Sequence, residues 1–175
     1  MGRKRLSLLA GLLLAGCAGW PQAPEPVRSG DELRQRSELT VPPSHQRLWV
    51  QEGHLGVTSL VAWRSPYCEI RFDPEASAGQ VIPAGHYTVM VVRLRTLIGA
   101  ALPYQVAGLL PAAERGDGAE HALFQVTLEL APEGGGLSAL VCAQRDDLRD
   151  GRYPSREQIN ETLGRHFSLL PGQGA

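Results

Sequence analysis

Residues 121 to 144 carry the pattern that most narrows the fold. In HALFQVTLELA, Ala122, Phe124, Val126, Leu128 and Leu130 alternate with mostly polar neighbours, the period of a strand with one buried face. PEGGG then turns the chain and LSALVCAQ returns it, so the stretch predicts a β-hairpin. YCEIRF repeats the alternation, with Cys68, Ile70 and Phe72 on one face and Tyr67, Glu69 and Arg71 on the other.

The rest of the chain extends this sheet. LWVQE and VTSLVAW are rich in branched and aromatic residues and are separated by Gly53 and Gly56. In HYTVMVVRLRTL, Met90, Val92 and Leu94 form the expected core face. The opposite face carries Tyr87, Val89 and Val91 before changing to Arg93 and Arg95, the pattern of a strand partly covered on both faces with one wet end. DELRQRSEL predicts a short helix that Pro42 and Pro43 terminate. Ser155 and Gln158 form a capping box that opens a C-terminal helix, with Ile159, Leu163 and Phe167 on one side. The expected fold is mainly β with this C-terminal helix: five to seven mostly antiparallel strands in a single curved sheet, small sandwich or partly open barrel. Irregular strand–helix order argues against a doubly wound fold.

The first seventeen residues give the chain an address. Arg3, Lys4 and Arg5 precede an apolar run from Leu6 to Ala15, which is short for a spanning helix. The closing Leu14-Ala15-Gly16-Cys17 resembles the bacterial lipobox. That resemblance, confined to residues 1–17, implies removal of residues 1–16 and lipidation of Cys17, with palmitate among the acyl groups. AGWPQAPEPVRSG then reads as an extended, proline-rich tether. The expected organisation is a signal peptide over 1–16, a lipidated N-terminus and flexible tether over 17–45, a β-rich domain with the helix over 46–170, and a frayed tail over 171–175. By the same resemblance, Ala18 in place of aspartate favours the outer membrane, facing the periplasm, in a diderm cell, and otherwise the extracytoplasmic membrane surface.

The address changes how composition is read. The chain has 17 basic and 18 acidic residues, and loss of the three leader cations leaves the remainder acidic and without lysine. No concentrated basic surface marks a nucleic-acid partner. With Cys17 assigned to lipid, Cys68 and Cys142 remain as an even pair in an oxidising compartment, and a disulfide between them is expected. Cys142 shares a face of its strand with Leu140, and Cys68 points to the same core if that face is inward, so the bond preserves the apolar pattern.

Sequence signals for chemistry are sparse. His45, His54, His86, His121 and His166 have no metal-ligand spacing, and no serine lies in a nucleophile elbow. Asp146, Asp147 and Asp150 lack the calcium-loop pattern and read as a solvated turn. No catalytic residue, metal or cofactor is assigned. The candidate partner or ligand surface comprises Arg93 and Arg95, Trp49 and Trp63, and the interrupted apolar stretch containing Leu97, Ile98, Leu102, Tyr104, Leu109 and Leu110. The expected role is a non-catalytic accessory or scaffold lipoprotein, membrane-bound through its lipid and holding an envelope protein complex. The alternatives are a periplasmic binding module for lipid or a cell-wall fragment, and a hydrolytic enzyme.

Overall fold

The computed structural model describes residues 25–43, 47–57, 65–98, 121–132 and 135–172. Its strands are β1 (Glu32–Gln35), β2 (Leu39–Thr40), β3 (Arg47–Gln51), β4 (His54–Gly56), β5 (Tyr67–Phe72), β6 (Val81–Ile82), β7 (Gly85–Ile98), β8 (His121–Pro132), β9 (Leu137–Asp147) and β10 (Phe167–Leu170), with helix α1 (Arg156–Leu163) between β9 and β10. Eight of them form one curled antiparallel half-barrel in the order β10-β1-β7-β8-β9-β5-β3-β4, and β2 pairs with β6 separately. The mainly β architecture is therefore observed, with one helix and ten strands among the described residues against the five to seven strands expected.

The sheet has a well-filled inner face. Val50, Cys68, Ile70, Leu128, Leu140 and Cys142 meet Ile159 and Leu163 of α1, while Leu39, Val41 and Ile82 close one end from the small sheet. Each is under a tenth exposed, and burying an aliphatic side chain of this size contributes about 1.5–3 kcal/mol. Cys68 and Cys142 stand directly opposite on β5 and β9 and form a disulfide, with Cα atoms 4.0 Å apart.

Local chemistry explains the helix. Ser155 accepts a hydrogen bond from the Gln158 N–H, and the Gln158 side chain accepts from the Ser155 N–H, so the expected capping box is present. Gly164 ends the helix at φ 57°, a conformation that glycine adopts without the Cβ penalty. Its backbone lies against Gly53, in the turn joining β3 to β4, where the Gly53 N–H donates to the Thr162 carbonyl at 2.9 Å. The helix thereby ties the β4 edge to the structure behind it.

Two expectations need correction. The DELRQRSEL segment is not helical: Glu32–Gln35 is inserted as β1 between β7 and β10. Leu33 and Gln35 point inward from it and are buried, so pairing on both sides overrides the local helical tendency. Within 17–45, the stretch read as tether, both β1 and β2 belong to sheets. The second correction concerns β7. Tyr87 and Val89 are buried, whereas Met90 and Leu94, expected in the core, are more than half exposed. A register shift between Val89 and Val91 against β8 inserts Met90 as a bulge and exchanges the two faces of the strand. Beyond it Val92 and Leu94 return to the inner side, where Val92 is half-buried against the core and Leu94 is left exposed.

Candidate functional site

Among the described residues, the distal half of β7 combines a strand edge without a partner with exposed apolar side chains. β1 pairs with β7 only over Gly85–Thr88, and the last backbone contacts on that side are Gly30 N–H to the Val89 carbonyl and Val89 N–H to the Asp31 carbonyl, both 2.8 Å. From Val91 to Ile98, β7 is flanked by β8 alone among the described residues. Val89 directs its backbone groups toward β1. Side-chain face and hydrogen-bond direction alternate together in an antiparallel strand. Val92, Leu94, Thr96 and Ile98, which face inward as Val89 does, therefore turn their N–H and C=O groups to the open edge. The apolar exposure follows the same segment. Met90, Val91, Leu94 and Ile98 are 57, 38, 55 and 66% exposed, and beyond β7 the exposed large apolar side chains among the described residues are Val57 and Val81.

A groove of about 500 Å³ runs beside this edge on the inner face, lined among others by Val27, Val92, Leu94, Val126 and Tyr153, with Asp146, Arg152 and Glu157 contributing charge. Its floor is fixed. The Tyr153 hydroxyl is 2.8 Å from Thr96 Oγ1, its ring meets Phe124 edge-on at 5.5 Å, and Gln144 Nε2 donates to the Arg152 carbonyl at 2.6 Å. The Pro26–Val27 wall is held by a charge cluster of buried Asp31 and Arg156 with exposed Glu25. Arg156, the first residue of α1, donates through Nη2 to Asp31 at 2.8 Å and pairs through Nη1 with Glu25. Burial opposes the Arg156 charge, but the hydrogen bond to Asp31 and the adjacent Asp31 and Glu25 carboxylates outweigh it and hold the guanidinium above its ordinary value.

The candidate surface residues named from sequence are distributed over both faces. Arg93 and Arg95 lie on the outer face of β7 and are exposed; Arg93 Nε is 2.8 Å from Glu129 Oε1, and Arg95 has no ion partner among the described residues. Trp49 is buried on the outer face with Tyr67, Leu123 and Ala143, and half-buried Leu97 packs against them. Trp49 and Tyr67 rings are 5.5 Å apart. Burial, with Glu69 nearby, pushes the Tyr67 phenol up to about 12. Ile98 ends β7 on the open edge. Cys17, Trp63, Leu102, Tyr104, Leu109 and Leu110 lie outside the described residues. The groove residues Val27, Leu94 and Tyr153 were not among the candidates. The VMVV run, which breaks strict alternation, is a sequence signal for the Met90 bulge, and no local pattern marks Val27 or Tyr153.

The other chemically suggestive places are internally satisfied. A second groove of about 740 Å³ is lined in part by Arg47, Glu69, Arg71 and Ser138. There Glu69 receives Arg71 Nε at 2.7 Å with Arg47 Nη1 at 3.7 Å, and Ser138 Oγ donates to the Phe72 carbonyl. Asp147 accepts from the Arg149 N–H and Asp146 from the Asp147 N–H, as a polar turn does. Among the described residues no three His, Cys, Asp or Glu side chains are grouped to hold a metal.

Comparison with family models, with curated proteins and with solved structures finds no match for this chain.

Proposed function

We propose that this is a lipid-anchored envelope protein that acts without catalysis, as an accessory subunit holding a membrane-associated protein complex. The observation that supports it is the concentration of exposed apolar side chains on the open half of β7, beside a core that is otherwise closely filled. Lipidation of Cys17 would set the geometry. The chain between Cys17 and Glu25, fully extended at about 3.5 Å per residue, reaches about 28 Å. The Pro26–Val27 wall of the groove, next to the point where that chain joins the domain, would then work close to the membrane surface. In a diderm cell that surface is the inner face of the outer membrane. Anchoring raises the local concentration of the domain around membrane-bound partners.

A photo-crosslinking amino acid placed in turn at Leu94, Ile98 and Val81 tests this in native membranes. Leu94 and Ile98 should each give a discrete protein adduct that Val81 does not. Equal labelling at all three positions would remove β7 as the docking surface. The groove supports a second reading, a binding module for lipid or a cell-wall fragment. Co-purification of one defined lipid, lost with Leu94→Glu, would favour that reading over the accessory role. Intact mass of the membrane-derived protein tests the anchor: residues 1–16 absent and a lipid mass on Cys17.

A further inference from the structure

We infer that the open edge of β7 takes up an extended strand from a partner protein, completing the sheet, and that this strand carries acidic side chains at alternate positions. The inference rests on the accessory reading and specifies its chemistry. Val92, Leu94, Thr96 and Ile98 offer backbone donors and acceptors along one line, the arrangement that β-augmentation uses. The two faces of that edge then select the incoming side chains. On the outer face the edge presents Arg93 and Arg95, one of them already engaged by Glu129, so an added strand meets net positive charge there. On the inner face it presents Val92 and Leu94, which line the groove, and exposed Ile98 at the strand end, which favours apolar residues. An alternating acidic–apolar strand satisfies both faces at once, because adjacent residues of a strand point to opposite sides.

A second copy of this chain is the other obvious occupant, and charge opposes it. Antiparallel pairing of β7 with its own copy centred on Arg93, Leu94 or Arg95 places arginine directly across from arginine. Like charges at such cross-strand positions destabilise the pair. A partner strand with glutamate or aspartate there gains instead.

The experiment uses the full chain and a synthetic probe of sequence Thr-Glu-Val-Glu-Val-Glu-Val-Glu-Thr, blocked at both ends, with binding read by fluorescence anisotropy. Saturable binding is expected. N-methylation of two alternate valine nitrogens, which removes edge hydrogen bonds while keeping every side chain, should weaken it at least about tenfold. Arg95→Glu should weaken the glutamate probe by a similar factor and favour a probe carrying lysine in place of glutamate. Leu94→Pro removes an N–H that faces the open edge and is tolerated on edge strands; it should abolish binding, whereas Leu94→Thr should only reduce it. Equal affinity for the N-methylated probe, or none for any probe, would overturn the inference. So would concentration-dependent dimerisation that Leu94→Pro abolishes, which would assign the edge to a second copy. Crosslinks from Leu94 in native membranes without probe binding would sink the strand mode and leave the accessory role standing. Probe binding without crosslinks would do the reverse.

Discussion

The fold should depend heavily on one carboxylate, Asp31. Its oxygens receive Arg156 Nη2 at 2.8 Å, the Arg28 N–H at 2.9 Å and the Gly172 N–H at 3.2 Å. One side chain therefore joins the N-terminal entry, the start of α1 and the chain beyond β10. Asp31 and Arg156 are 3 and 6% exposed, so water cannot replace either partner. Removing one member of a buried ion pair typically costs about 3–5 kcal/mol. In Asp31→Asn the shape persists but Arg156 keeps only the exposed Glu25 as counter-charge, which places the expected loss near the lower end, about 3 kcal/mol. Arg156→Met leaves Asp31 its two backbone donors and should cost about 2 kcal/mol. The double variant removes both charges together and should cost about 2 kcal/mol rather than the sum, a coupling of about 3 kcal/mol. Urea unfolding followed by tryptophan fluorescence measures all four proteins, and an unchanged slope would show that the same surface is exposed in each. A loss below about 1 kcal/mol for Asp31→Asn, or strict additivity in the double variant, would refute the reasoning.

Three further outcomes can be checked with the same unfolding assay. Replacing both Cys68 and Cys142 by alanine should cost about 4 kcal/mol in the chain-entropy picture for a bond spanning 74 residues, and the buried disulfide should resist reductant until the protein unfolds. Gly164→Ala should destabilise by about 2 kcal/mol or more, since its Cβ would sit 2.6 Å from the Gly53 Cα at a positive φ. Burial, then the charges of Arg165 and His54, pull His166 below its ordinary value of 6.5. The unfolded chain therefore binds this proton more readily, and stability should be full above pH 6.5 and fall as pH drops from there through the lowered folded value. His166→Gln should flatten that slope, and an unchanged profile would exclude His166 as its source.

What could be read in the sequence was what local pattern encodes. The β8–β9 hairpin, the faces of β5 and the capping box of α1 each follow from spacing within a few residues, and each is found. The cysteine pairing was legible only because the lipobox resemblance set Cys17 aside. β1 was not legible. Its residues have ordinary helical tendencies, and their strand conformation comes from β7 and β10, the latter 132 positions away at the Gln35–Phe167 contact, counted from the paired positions. The open edge was illegible for a related reason. Leu94 has the periodicity of a core residue, and it lies exposed because the neighbouring strand stops before reaching it, which no window around Leu94 records.

The same chemistry that stabilises the fold also creates that opening. β1 runs antiparallel to β7, so the chain before Gly30, continued straight, would lie beside Val91 to Ile98 and cover the edge. Instead Gly30 takes φ 90°, the Asp31 N–H donates back to the Arg28 carbonyl, and the Arg28 N–H donates to the Asp31 carboxylate. This tight turn ends β1 at Glu32. Arg156 then draws the preceding residues away to α1, through the Glu25 carboxylate and the Glu25 carbonyl. At the corresponding level of β7, the Met90 bulge exchanges the strand's faces and sends the two arginines outward. The turn and the bulge act together. The first leaves the edge of β7 from Val91 to Ile98 without a strand partner among the described residues, and the second decides which side chains a new neighbour would meet.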